Sequence, residues 1–234
     1  MRLRSTFLAV TALTFLFLVP GICMAGPVTI FSDYGPGMTF SSTNGWCVSG
    51  PNTLNCGPDN VRWVASPFTP SGNFTLTQID LALLAFTGTN GGVIELVNST
   101  SGLPGSTVLE SWTTTGLSSN NLSLTSSGGI TLQNGVQYWL VATPLADDTL
   151  DVWRNEPTGS LAGTVVCFGP PNNFGAGNNG CISSSGTTWF VENSLTAFDV
   201  LGTPTATPEP SSLLLLGTGL LGFGPFLRRR FARL

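Results

Sequence analysis

The chain of 234 residues has no histidine and no lysine, and its eight basic residues are all arginine. Six of them lie at the ends (Arg2, Arg4, Arg228, Arg229, Arg230 and Arg233), so only Arg62 and Arg154 fall between Gly26 and Thr207. Eleven carboxylates share that interval with two arginines, a local charge of −9 that the overall −4 conceals. Charged residues make up 9% of the chain, against roughly 25% in an ordinary soluble domain. These absences remove histidine triads, lysine Schiff bases, P-loop chemistry and histidine-ligated zinc. Two arginines also neutralise too few phosphates for a nucleic-acid face, so no nucleic-acid partner is expected.

Both ends carry long apolar runs instead. Arg2 and Arg4 precede the apolar stretch Phe7–Val19, Pro20-Gly21 breaks it, and Cys23-Met24-Ala25 supplies small residues for cleavage before Gly26. Residues 1–25 therefore read as a secretory signal peptide, with signal peptidase as the processing partner. Ile22 stands where a lipobox ahead of Cys23 would need a small residue.

At the other end, Ser211–Leu227 is an uncharged run of 17 residues followed by the arginine cluster. As a helix it would span roughly 25 Å, the lower limit for a bilayer. Arginines after the run favour a cytoplasmic tail and an exported body. Ahead of it come a Thr/Pro linker, residues 203–207, and then Pro208, Glu209 and Pro210. Pro-Glu-Pro, a short apolar helix and terminal arginines, in that order, resemble the PEP-CTERM sorting signal of Gram-negative bacteria. The resemblance covers residues 208–234, about a ninth of the chain, and Pro225-Phe226 departs from the small residues usual before the arginines. It implies that Pro208, Glu209, Pro210, Arg228, Arg229 and Arg230 form the sorting signal. It further implies export, transient residence in the inner membrane, processing by an exosortase, and delivery to the cell surface or an exopolysaccharide matrix.

Between these ends, residues 26–202 show short β-branched and aromatic runs separated by Gly, Asn, Pro and Ser clusters. Strands are expected at Val28–Phe31, Val61–Ala65, Phe74–Phe86, Val93–Val97, Val108–Trp112, Asn121–Leu124, Val136–Ala142, Leu150–Arg154, Thr187–Glu192 and Ala197–Leu201. Both faces of Val136–Ala142 are apolar, as in a strand buried on two sides. Ten short strands predict an all-β, jelly-roll-like two-sheet β-sandwich. The ordered motifs Val93-Ile94-Glu95-Leu96, Gly102-Leu103-Pro104-Gly105, Glu110-Ser111-Trp112, Leu132–Trp139 and Ala197-Phe198-Asp199-Val200 also resemble the choice-of-anchor β-sandwich modules found with such tails. That resemblance implies an extracellular surface domain with no known chemistry.

Four cysteines remain after signal removal, in the local pairs Cys47/Cys56 and Cys167/Cys181. An oxidising periplasm predicts the disulfides Cys47–Cys56 and Cys167–Cys181, and neither spacing suits zinc. Asp147, Asp148 and Asp151 could supply hard oxygens to Ca²⁺, with a solvated loop as the rival account. Glu95 and Glu110 could form a hydrolytic carboxylate pair if their strands face each other, although Glu95 sits at the outward beat of an alternating strand. Among six tryptophans, Trp63 and Trp139 read as core, while Trp153, beside Arg154, is the candidate exposed ring for glycan contact. The expected function is a non-enzymatic structural or adhesive surface protein without a cofactor. A carbohydrate-binding module acting on exopolysaccharide is the second reading, and a carboxylate-dependent glycosidase is the third.

Overall fold

Alternating β-branched and aromatic residues produce strands throughout the computed structural model, which describes residues 26–53, 61–118, 121–157, 164–168, 180–182, 188–192 and 196–205. The strands are β1 (Val28–Ser32), β2 (Gly45–Ser49), β3 (Arg62–Phe68), β4 (Phe74–Leu81), β5 (Leu83–Thr87), β6 (Gly91–Thr100), β7 (Leu103–Thr115) and β8 (Leu122–Thr125). They continue with β9 (Thr131–Leu132), β10 (Tyr138–Pro144), β11 (Leu150–Arg154), β12 (Thr164–Phe168), β13 (Gly180–Ile182), β14 (Thr188–Glu192) and β15 (Phe198–Pro204). No helix occurs among the described residues, and none there is long and apolar enough to cross a membrane. The expected signal helix in 1–25, the helix in 211–227 and the arginine cluster lie outside the described residues.

The strands form two sheets, as the alternating pattern predicts. The smaller runs β1-β15-β4-β8, with β9 beside β4; the larger runs β13-β14-β12-β3-β10-β6-β7 and also takes in β2, β5 and β11. All described pairings are antiparallel, including the central β10–β6 and β10–β3 ladders. The single strand expected over Phe74–Phe86 is split at Ala82, so β4 joins the smaller sheet and β5 the larger. Ala82 makes the change by donating to Ala197 O and accepting from the Arg154 amide. At the next turn Gly88 has φ +77°, and a Cβ there would meet the Asp148 carbonyl at 1.8 Å. Only glycine tolerates both conditions.

The inner faces of the two sheets meet in one aromatic-rich core. Phe198 is fully buried, stacks on Phe31 at 4.9 Å, and meets Phe68 and Trp153 edge-on at 6.2 and 5.9 Å. Ile79, Leu81, Ile94, Leu96 and Leu140 complete that interior. A second, smaller cluster occupies the outer face of the larger sheet, around Ala65, Val97, Trp139, Val141 and Trp189. Strand β10 separates the two clusters. Leu140 and Ala142 face the core and Trp139 and Val141 face outward, so all four are buried.

The outer face of the smaller sheet carries acids. Ser32, Asp199, Asp80 and Ser123 form one cross-strand row. Asp80 lies directly opposite Asp199, an arrangement that is destabilising without compensation. Compensation comes from neutral donors: Gln78 Nε2 reaches both Asp80 carboxylate oxygens at 2.8 and 2.9 Å, and the Ser123 hydroxyl donates to Oδ1.

Candidate functional site

A groove of ≈ 360 Å³ opens on the outer face of the larger sheet. Its floor is the outward row of β6 and β10, with Val97 and Val141 almost fully buried. Trp63 of β3 and Trp189 of β14 stand on one side. Both are registered against Cys167 of β12, which puts their Cα atoms two strand spacings apart, about 10 Å. The β6–β7 hairpin makes the opposite wall through Pro104, Gly105 and Ser106. Two register shifts near Val97 bend that hairpin over the sheet, as bulges do. Its turn passes through Ser101 and Gly102, both at positive φ.

Three features give the groove chemical character. Glu95 is half-buried in it and is the only charged lining residue among the described residues. Trp63 remains half-exposed, whereas Trp189 is 4% exposed and its indole N–H finds no acceptor. Thr143 and Ser106 add hydroxyls. The alternation of β3 explains why Trp63 is here: Val64 enters the core, so its neighbour must face outward. Period-two reading of Arg62–Phe68 would have found it, whereas hydrophobicity alone assigns Trp63 to the core.

The ring expected to be exposed is not. Trp153 is fully buried, packs on Phe198, and donates from Nε1 to Ala197 O at 3.1 Å. It lies on β11, paired with β2 on one side and β5 on the other, so a glycan cannot reach it. Arg154 is half-buried, and its Nε is buried without an acceptor.

The three aspartates proposed for Ca²⁺ do not converge. Asp147 and Asp148 are exposed in the turn before β11, and the Thr89 hydroxyl holds the Asp148 carboxyl below its ordinary range. Asp151 points the other way and is fully buried. No group of three acidic, cysteine or histidine side chains placed to hold a metal occurs among the described residues. Burial pushes the Asp151 carboxyl up to about 7; the Gly91 amide offsets part of this without reaching hydrogen-bond geometry.

Glu95 and Glu110 also separate. Glu95 is opposite Ser111 and Glu110 is opposite Leu96 in the β6–β7 ladder. Consecutive residues of a strand face opposite sides, so the two carboxylates leave the sheet in opposite directions. Glu110 accepts instead from the Ser126 hydroxyl at 2.7 Å and from the Ser127 amide. The hydrolytic pair is therefore absent.

A second acidic group surrounds the end of β1. Burial, Glu156 and Asp199 raise the Asp33 carboxyl to about 7, and burial with the same Asp199 drives the Tyr34 phenol upward. Asp199 is itself raised, mainly by burial, against a lowering contribution from the Ser32 hydroxyl.

The cysteines divide similarly. Cys47 is half-buried on β2, and Cys56 lies outside the described residues. Cys167 and Cys181 both take Trp189 as register partner, from the two sides of β14. Strand β14 thus lies between their strands, and the Cys167–Cys181 bridge stays an expectation of the sequence.

Pro208, Glu209, Pro210, Arg228, Arg229 and Arg230 lie outside the described residues, and their assignment rests on sequence. Residues 206–230 match the PEP-CTERM protein-sorting motif. The chain thus joins an all-β domain to a PEP-CTERM sorting motif, which supports an exported protein targeted to an exosortase. The motif carries with it export and a C-terminus anchored in the membrane before cleavage. Neither a curated protein nor a solved structure matches the chain.

Proposed function

We propose that this protein acts at the cell surface or in the exopolysaccharide matrix in a structural or adhesive, non-catalytic role. The sorting motif at 206–230 carries the reading, because exosortase substrates leave the inner membrane for the exterior once processed. Divergence of Glu95 and Glu110 across the sheet supports a non-catalytic domain. Signal peptidase cleavage before Gly26 begins the route. A Cys47–Cys56 bridge fits the exported state and is supported by the disulfide-bonded form of Cys47. Deleting Pro208–Leu234 is the test: the truncated protein should accumulate in the periplasm or medium. An unchanged cell-surface fraction would sink the sorting claim.

Carbohydrate binding is the second reading, and the outer groove favours it in place of Trp153. Sugar rings present flat apolar faces and peripheral hydroxyls. A half-open indole beside a carboxylate and two hydroxyls matches both kinds of surface.

A further inference from the structure

We infer that the groove between Trp63 and the β6–β7 hairpin is selective for a pyranose bearing a protonated amine; the inference rests on the carbohydrate-binding reading. The argument is one of charge and size. Among the described residues Glu95 is the only charged one that lines the groove, and the segment from Gly26 to Thr207 holds two arginines against eleven carboxylates. Uronate or sulfated sugars would be repelled on approach and would meet no cation in the groove. An ammonium gains twice: a charge-assisted hydrogen bond to Glu95, and attraction to the negative face of the half-open Trp63 indole.

Neutral hydroxyls on the same ring meet Thr143 and Ser106. Trp189, 4% exposed and with its indole N–H buried, contributes an apolar wall rather than a donor. The volume, ≈ 360 Å³, is at the small end of small-molecule sites, roughly 300–1,000 Å³. A site of that size suits a sugar unit.

The test uses the full chain in a polyoxyethylene detergent, chosen because it has no sugar headgroup. Calorimetric titrations compare tetrasaccharides of glucosamine, N-acetylglucosamine, glucose and glucuronate, and a lysine tetrapeptide. Glucosamine oligomers should bind at least tenfold more tightly than the acetylated, neutral and acidic ones, and several-fold more weakly at high salt. Glu95→Gln, nearly isosteric on a strand surface, should abolish the amine preference and leave the thermal melt unchanged. Trp63→Ala should weaken all sugars at least tenfold, with Trp63→Phe retaining part of the binding if the alanine variant folds poorly.

Equal affinity for glucosamine and glucose oligomers would overturn the amine selectivity while leaving carbohydrate binding intact. No sugar binding by the folded protein would refute both. Binding unchanged in Trp63→Phe and Glu95→Gln would place the site elsewhere. A lysine peptide that outcompetes the glucosamine oligomer would transfer the groove to a protein partner.

Discussion

Replacing Asp151 should remove a specific part of the pH dependence of stability. Its side chain is fully buried, both carboxylate oxygens lack a hydrogen-bond partner, and its carboxyl is raised from 3.8 to about 7. The native state therefore holds a proton between about pH 4 and 7 that the unfolded chain releases. Its contribution is complete below about pH 4, declines as pH rises, and is gone above about 7. Three pKa units correspond to a ceiling on the order of 4 kcal/mol. Water penetration and local relaxation lower the cost of a buried ion, so roughly 2 kcal/mol is the working expectation. Asn cannot titrate, and any fixed penalty from its amide is the same at every pH. The measurable quantity is thus the difference between Asp151→Asn and the native chain in urea unfolding at pH 4, 6 and 8. Relative to its value at pH 4, that difference should move by about 2 kcal/mol in favour of the variant at pH 8. This corresponds to roughly 4–8 °C in melting temperature for a domain of this size. A difference that stays constant with pH would refute the buried, unpartnered state of Asp151.

Two further outcomes are expected. Phe198→Ala should cost about 3–5 kcal/mol, because the ring contacts Phe31, Phe68 and Trp153 and so joins both sheets; a loss below about 1 kcal/mol in urea unfolding would contradict that packing. Peptide mapping of the exported protein without reduction should recover Cys47 linked to Cys56, and a free Cys47 thiol would contradict the disulfide-bonded form of that residue.

Much of the architecture is legible in period-two patterns, and what escapes has physical reasons. Expected and observed strands coincide where long alternating runs exist, as in β6, β10 and β15. Strands β2 and β13 begin with glycine and lie among Asn and Gly, so neither has a run long enough to stand out. The sheet change at Ala82 has no sequence signal, because the surrounding residues are apolar on both sides of it and the change depends on hydrogen bonds to the Ala197 carbonyl and from the Arg154 amide. Trp153 escapes for a related reason: flanking charges suggest exposure, yet Asp151 and Trp153 share one buried face of β11. The groove depends on which strands become neighbours in three dimensions. Trp63 and Trp189 are far apart in sequence and meet only because β12 lies between β3 and β14.

The missing lysine and histidine have a structural consequence beyond the chemistry they exclude. In an ordinary domain, buried or clustered carboxylates are paired with cations. Here neutral groups take that role: Gln78 and Ser123 for Asp80, Ser126 and the Ser127 amide for Glu110, and Thr89 for Asp148. Neutral donors stabilise a carboxylate without cancelling its charge, so acids that face one another remain in repulsion, as Asp33, Asp199 and Glu156 do. A chain built this way carries a negative field that its own side chains cannot neutralise. Mobile counterions screen most of that field, and Glu95, half-buried in the groove beside Trp63, is the carboxylate placed to take an ammonium from a ligand instead.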